Sequence, residues 1–480
     1  MASEATTGNQ RHYRCVGIGV GPANLSLASL MFGSPGMSNV FFERKESFGW
    51  HDGQQIPGAS LQVSMLKDLV SLSDPTNAFS FLAYLHSLGR IHHFLNARFD
   101  AVPRQEFRNY LEWASRKNPN IVFGEEVRSV DFDGTFRVRT STGTITADHL
   151  SIGVGSRPWI PPQARVDLDG AQFHVSEFVA KARNMAGLRV GVVGGGQSGA
   201  EAFLDLISRP HDQLPRRVSW ISRRPNYLPL DDSPFTNDYY MPCYSDHFAS
   251  LEPEARRRFN AEQVLSSDGI SEATLRQIYQ RAYMHRFVDG SPDLIALYPN
   301  SDVTVVAEGG AKSPWDLTLT NNAQQHHVEL DVIVWATGFR TARMDFLRPI
   351  EHRLEREGDE YKIDQSFAVH WDGPGDHHIF LQNAARQQRG LADANLSLLA
   401  WRSQRILDRL RGVRTEHQKA SFIEWSVKPT GAVEADQTDP ADPVAPAAPV
   451  PATPVVPVQQ AVSAQQAVPA EPTDDQLQGA

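Results

Sequence analysis

Gly17-Ile18-Gly19-Val20-Gly21-Pro22-Ala23-Asn24 is the first run in the chain whose residue types and spacing could do chemistry. Glycines at these intervals let backbone approach a pyrophosphate, which is then held at the positive end of the following helix. Asn24 stands where the plain fingerprint has a third glycine. The next apolar run, Val40-Phe41-Phe42-Glu43, ends in an acid. A carboxylate there accepts from both ribose hydroxyls and repels a 2′-phosphate. The second run, Gly194-Gly195-Gly196-Gln197-Ser198-Gly199, follows another apolar stretch. Its next strand-like segment, 218–222, leads into Arg223-Arg224 instead of an acid. Two guanidiniums suit a 2′-phosphate; the alternative is a solvated basic turn. A ribose-acid site and a phosphate-arginine site in one chain imply FAD at the first and NADPH at the second. Ala336-Thr337-Gly338 closes a further apolar run, and small residues there let the chain cross back toward the first site.

These turns need strands before them and helices after them. Apolar runs at 13–20, 39–44, 189–194, 217–223 and 330–336 read as buried parallel strands alternating with helical stretches. The expected fold is α/β with two Rossmann-like dinucleotide-binding domains, a smaller helical substrate-binding region and a disordered C-terminal tail. The FAD domain is expected to be discontinuous, at 13–165 and 330–428. The NADPH domain is expected at 166–230 and 291–329, the helical region at 231–290, and the tail at 429–480.

Composition narrows the classes. Seven of the net ten negative charges fall after Pro429, where there is no Lys or Arg, so the body is nearly neutral. Neither part offers the basic footprint of a nucleic-acid binder. Ten of the 31 prolines also lie from Pro429 onward, without an aromatic residue beyond it. That stretch cannot bury enough apolar surface to offset its ordering entropy. The polar first 14 residues do not read as a signal peptide, and no apolar run reaches membrane-spanning length. Two cysteines, Cys15 and Cys243, suit a reducing, cytoplasmic setting and exclude a redox CxxC. Disulfide reductases built on the same two domains are thereby excluded. The pairs His92-His93, His326-His327 and His377-His378 lack a common helical spacing, and no metal is expected.

Leu168-Asp-Gly170-Ala-Gln-Phe-His174-Val-Ser-Glu-Phe178 loosely matches a linker motif of two-domain flavin monooxygenases. Three further segments make the likeness specific. They are Trp50-His51 with 61–69 and Asp74-Pro75-Thr76; Asp231-Asp232-Ser233-Pro234-Phe235-Thr236-Asn237; and Leu391-Ala-Asp-Ala-Asn395-Leu396-Ser397. From about Tyr13 to Trp425 the chain resembles the microbial L-lysine N6-/L-ornithine N5-monooxygenase family, which hydroxylates side-chain amines for hydroxamate siderophores.

The resemblance implies FAD reduced by NADPH, O2 activated at the flavin C4a, and an amine substrate, in an enzyme that is commonly a tetramer. It places Trp50, His51 and Gln62 at the flavin and Lys67 on the substrate carboxylate. Asn237 would accept a hydrogen bond from the substrate amine, and Ser397 would lie beside the substrate at the start of the last helix. Lys67 sits in what reads as an apolar helical run, where a lysine needs an anionic partner; the alternative partner is Asp68. For Asn237 the alternative is a loop cap. The Ser266-Ser267-Asp268-Gly269 run resembles lysine users, whereas Asp-Ser-Pro-Phe-x-Asn resembles ornithine users. Lysine is favoured, with ornithine, a diamine, or a broad-specificity flavin monooxygenase as alternatives, and an NADPH-sensing flavin module as a different class. Where the family usually has His, this chain has Arg389 before Gly390.

Overall fold

The structure, a computed structural model, describes residues 11–164, 170–309, 314–415 and 419–425. The tail expected from 429 and Leu168 of the linker motif lie outside them. His12–Ile18 forms a strand buried over its last four residues. It pairs in parallel with Asn39–Glu43 on one side and Thr144–Ile152 on the other. Ile121–Phe123 and Ile379–Leu381 extend this parallel core, and Phe136–Thr140 and Val127–Phe132 add an antiparallel flank. Burial on both faces explains why the central strand is apolar without alternation. The helix Pro22–Met31 starts with proline at its first turn, where no N–H partner is lost. Its Leu25, Leu27 and Ala28 share a core with Leu399, Ile406 and Leu407 of the last helix, Leu399–Arg411.

A second sheet is wholly parallel, in the order Ile295–Tyr298, Arg217–Ile221, Arg189–Val193, Val332–Trp335, Gln172–His174. One expected boundary moves here. The sequence pattern places the run from 330 in the first domain, but Val332–Trp335 pairs with Arg189–Val193 and belongs to the second sheet. The crossing lies just beyond it, where Phe339–Thr341 pairs antiparallel with Ser156–Pro158. Residues 302–330 contain a three-stranded antiparallel sheet that packs Val303, Leu317 and Leu319 onto Ile221 and Trp335. Between the strands at 217–221 and 295–298 the chain is helical, including Pro242–Ser250, Pro253–Glu262 and Glu272–Tyr283. Among the described residues no helix is long and apolar enough to cross a membrane.

Candidate active site

At the first fingerprint, a Cβ on Gly17 would fall 1.8 Å from the Phe41 ring. Gly19 has φ +85 and would bring a Cβ 2.7 Å from the Gly153 carbonyl oxygen. Glycine is therefore imposed at both positions. At Gly21 the nearest such atom is 3.9 Å away, leaving open backbone at the start of the Pro22 helix. Glu43 is held at this turn: its carboxylate accepts from the Val20 N–H at 2.9 Å and the Lys45 N–H at 3.0 Å. An open glycine turn, a helix N-terminus and an adjacent acid fit an adenosine pyrophosphate.

Asn24, expected to contact a cofactor, is fully buried and turned into the fold. Its Nδ2 donates to the carbonyls of Gly19 (2.8 Å) and Ser151 (3.0 Å), while its Oδ1 accepts from Ser151 Oγ and Gln382 Nε2, both at 2.7 Å. It braces the glycine turn against two neighbouring strands. Trp50 and His51 lie in the loop after Glu43, their rings edge to face at 4.8 Å. The His51 imidazole is pushed down to about 4, first by burial and then by the Arg104 guanidinium, so it is neutral at pH 7.

At the second fingerprint, a Cβ on Gly194 would fall 2.0 Å from the Ala336 oxygen, and one on Gly199 2.3 Å from the Gly194 oxygen. Ala336 thus packs directly on the second glycine turn. Gly196 is more open, its nearest neighbour being the Asp268 oxygen at 3.5 Å. Thr337 Oγ1 donates to the Trp159 carbonyl at 2.6 Å. The Gly338 carbonyl accepts from the Trp159 N–H at 2.9 Å and pairs with His174 Nε2 at 3.0 Å. His174 of the linker motif therefore clamps the crossing.

The two arginines part ways. Arg223 is exposed and forms no ion pair among the described residues. Arg224 Nη1 donates to the carbonyls of Gly195 (2.9 Å) and Asp268 (2.8 Å), so this guanidinium also clamps the glycine turn to the helical region. Ser198 Oγ accepts from Gln54 Nε2 at 2.9 Å, a bond to the loop that carries His51.

Gln62, Lys67, Asn237 and Ser397 come from three distant stretches and line one small, solvent-open cleft. Lys67 lies in a turn, its N–H donating to the Ser64 carbonyl at 3.0 Å, and not in the expected helical run. The local pattern misled because the apolar residues around it pack through tertiary contacts. Asp68 is spent: its carboxylate accepts from the N–H groups of Val70 (2.9 Å), Ser71 (2.7 Å) and Phe81 (2.7 Å). Lys67 has no carboxylate partner among the described residues, and its ammonium sits 5.5 Å from the centre of the Tyr240 ring. Burial lowers its pKa.

Asn237 stands in the short 3-10 helix Thr236–Tyr240. Its Nδ2 donates to the Asp232 carbonyl at 2.7 Å, which leaves Oδ1 to accept from a ligand. The neighbouring Asp231 carboxylate accepts from the Ser233 N–H (3.2 Å) and Thr236 Oγ1 (2.9 Å), which hold it below the usual carboxylate range. Ser397 is buried, and its hydroxyl donates to Asn395 Oδ1 at 2.7 Å. The cleft thus offers a cation for an anionic group and a side-chain carbonyl for an amine N–H.

Tyr240 escaped the sequence reading. The available signal was its place three residues after Asn237, which in a 3-10 helix is the same face. Its hydroxyl donates to the Ser266 carbonyl, and burial first pushes the phenol up to about 12. Ser266 and Ser267 also line the cleft. Arg389, by contrast, is buried: it bonds Asp246 of the helix Pro242–Ser250 at 2.8 Å and stacks over Phe367 at 4.6 Å. It pins the helical region to the first domain.

Residues 11–341 match the family described as L-lysine 6-monooxygenase/L-ornithine 5-monooxygenase. The chain is 36% identical over 404 residues to the L-lysine N6-monooxygenase of Escherichia coli, covering 83% of this chain and 94% of that one. Among solved structures it resembles the FAD-bound cadaverine monooxygenase of the desferrioxamine pathway from Erwinia amylovora. That likeness has a TM-score of 0.81 and 26% identity, over 87% of this chain and 99% of that one. It also resembles an ornithine N-hydroxylase of Kutzneria sp. 744 holding reduced FAD, NADP+ and L-ornithine, with a TM-score of 0.77 and 29% identity over 84% and 99%. The matched sequence and the likeness to both structures agree: the chain belongs to the L-lysine 6-monooxygenase/L-ornithine 5-monooxygenase family.

Proposed function

We propose that the chain is an FAD- and NADPH-dependent N-hydroxylase of the terminal amine of a basic amino acid, L-lysine before L-ornithine, serving hydroxamate siderophore synthesis. The observation that carries the reading is Lys67, a half-buried cation with no acid partner among the described residues, in the same cleft as Asn237, Gln62 and Ser397. A half-buried cation seeks an anion. The carboxylate of an amino acid supplies one, whereas a diamine brings a second cation.

The open turn at Gly19–Gly21 with Glu43 would hold FAD, and the turn at Gly194–Gly199 with Arg223 would hold NADPH. Bound and reduced, the flavin supplies the electrons for splitting O2, one atom going to the amine nitrogen and the other to water. The protein's own tasks are to bind, orient and exclude water. Lys67 fixes the carboxylate end. Asn237 Oδ1 accepts an amine N–H, which aims the nitrogen lone pair elsewhere. The amine must lose its proton, since a free lysine ammonium has a pKa of about 10.4, and a partly desolvated cleft favours the neutral form. No acid–base dyad is required; positioning carries the rate.

The test is to purify the protein, record flavin absorbance, add NADPH with L-lysine, and compare O2 consumed with hydroxylamine formed. Near-equal amounts support the reading. Oxygen uptake without hydroxylated product for any amine overturns it in favour of a broad oxidase or a sensor.

A further inference from the structure

The second fingerprint helix, Gln197–Ser208, is tied at its first turn to three separate parts of the molecule. Arg104, at the start of the helix Arg104–Lys117 of the first domain, grips Glu201 with both terminal nitrogens, at 2.8 Å and 2.6 Å. Glu201 is buried and Arg104 is largely covered. The same guanidinium donates to the Gln54 carbonyl at 2.9 Å, and Gln54 Nε2 reaches Ser198 Oγ. Gln197 completes the knot: its Nε2 donates to Glu201 Oε1 at 2.9 Å, and its Oε1 accepts the Ser271 N–H of the helical region at 2.8 Å.

The loop at 48–60 is caught between the two domains. Phe48 and Trp50 pack into the core of the first, while Ile56 and Ala59 pack into the core of the second. Gly53 passes so close to the second domain that a Cβ would fall 1.8 Å from the Ser176 oxygen. This loop also carries His51, whose imidazole feels the Arg104 charge. One buried ion pair therefore joins the loop beside the first dinucleotide site to the helix that opens the second.

We infer that Arg104 and Glu201 are positioning residues whose ion pair sets the orientation of the second dinucleotide domain against the first, and with it the approach of the nicotinamide to the flavin. This inference rests on the FAD and NADPH reading given above. Neither residue lines the amine cleft. Their loss should therefore act on electron delivery and leave amine binding alone. A bidentate pair of low exposure has few alternative geometries, and removing one partner leaves the other charge buried and uncompensated.

The test uses the FAD-loaded full chain with Arg104→Gln and Glu201→Gln, and Arg104→Lys as a milder variant should either fail to fold. The first readout is hydrogen exchange without NADPH. Exchange should rise in 48–60 and 269–276 and stay unchanged in the first-domain strands. The second compares flavin reduction by NADPH with reduction by dithionite, a small reductant that needs no domain alignment. Reduction by NADPH should slow by about 100-fold, the cost of roughly 1 Å of misplacement. Reduction by dithionite and the KM for the amine should hold, and Arg104→Lys should recover part of the loss. Unchanged exchange and NADPH reduction overturn the inference, as does a parallel slowing with both reductants. A wild-type protein that NADPH does not reduce instead defeats the cofactor reading, while the exchange experiment still reports on the latch.

Discussion

Asn237 donates its side-chain N–H to the main-chain carbonyl of Asp232 at 2.7 Å, so its amide oxygen is the group left to meet a ligand. That bond turns a loop asparagine into an oriented acceptor. Asn237→Ala should lower kcat/KM by about 10–100-fold for lysine and for cadaverine alike, because both present an amine N–H. Steady-state kinetics on the two substrates check this. A loss confined to KM for lysine would instead place Asn237 on the amino-acid end.

Lys67 should discriminate between those substrates. Lys67→Ala removes a charge-assisted contact of about 1.5–3 kcal/mol, which is roughly 10–150-fold in binding. KM for lysine should rise by that factor, and KM for cadaverine should stay level or fall as the repulsive charge is removed. Equal responses in the two substrates would contradict the carboxylate role.

The pH profile carries the same distinction. As pH rises, more of the substrate amine is neutral, and kcat/KM should climb for both lysine and cadaverine toward about pH 10. Burial pushes the Lys67 pKa below that of a free lysine, so the site loses its cation before an ordinary lysine would. The profile for lysine should therefore turn over at alkaline pH, below 10.5, while that for cadaverine keeps rising. Profiles of kcat/KM on both substrates read this directly.

Arg223 and Arg224 should separate under mutation. Arg223→Ala removes an exposed guanidinium, raising KM for NADPH by about 10–100-fold while leaving KM for NADH nearly unchanged. Arg224→Ala breaks the bonds to Gly195 and Asp268 and should weaken both nucleotides together. KM values with NADPH and NADH for each variant check the split.

Much of this was legible in the sequence, for a local reason. Gly17, Gly19, Gly194 and Gly199 are demanded by close approaches that leave a spaced pattern, and Glu43 follows its strand by the same logic. The cleft residues were found through longer segments carrying a family likeness. What could not be read depended on partners far along the chain. Asn24 reaches Ser151 and Gln382, and Arg104 reaches Glu201. Val332–Trp335 looked like any apolar strand, and only its pairing partner decides which sheet it joins. Lys67 sat among apolar residues that resemble a helix face but serve a turn.

On the proposed function, this cleft selects an amino acid by its carboxylate. The most direct test is the yield of hydroxylated product per O2 consumed, with kcat/KM, for wild-type protein across L-lysine, L-ornithine, cadaverine and putrescine. Tight coupling and the highest kcat/KM are expected for L-lysine, with L-ornithine next and both diamines well below. A diamine that outperforms both amino acids with tight coupling would contradict it.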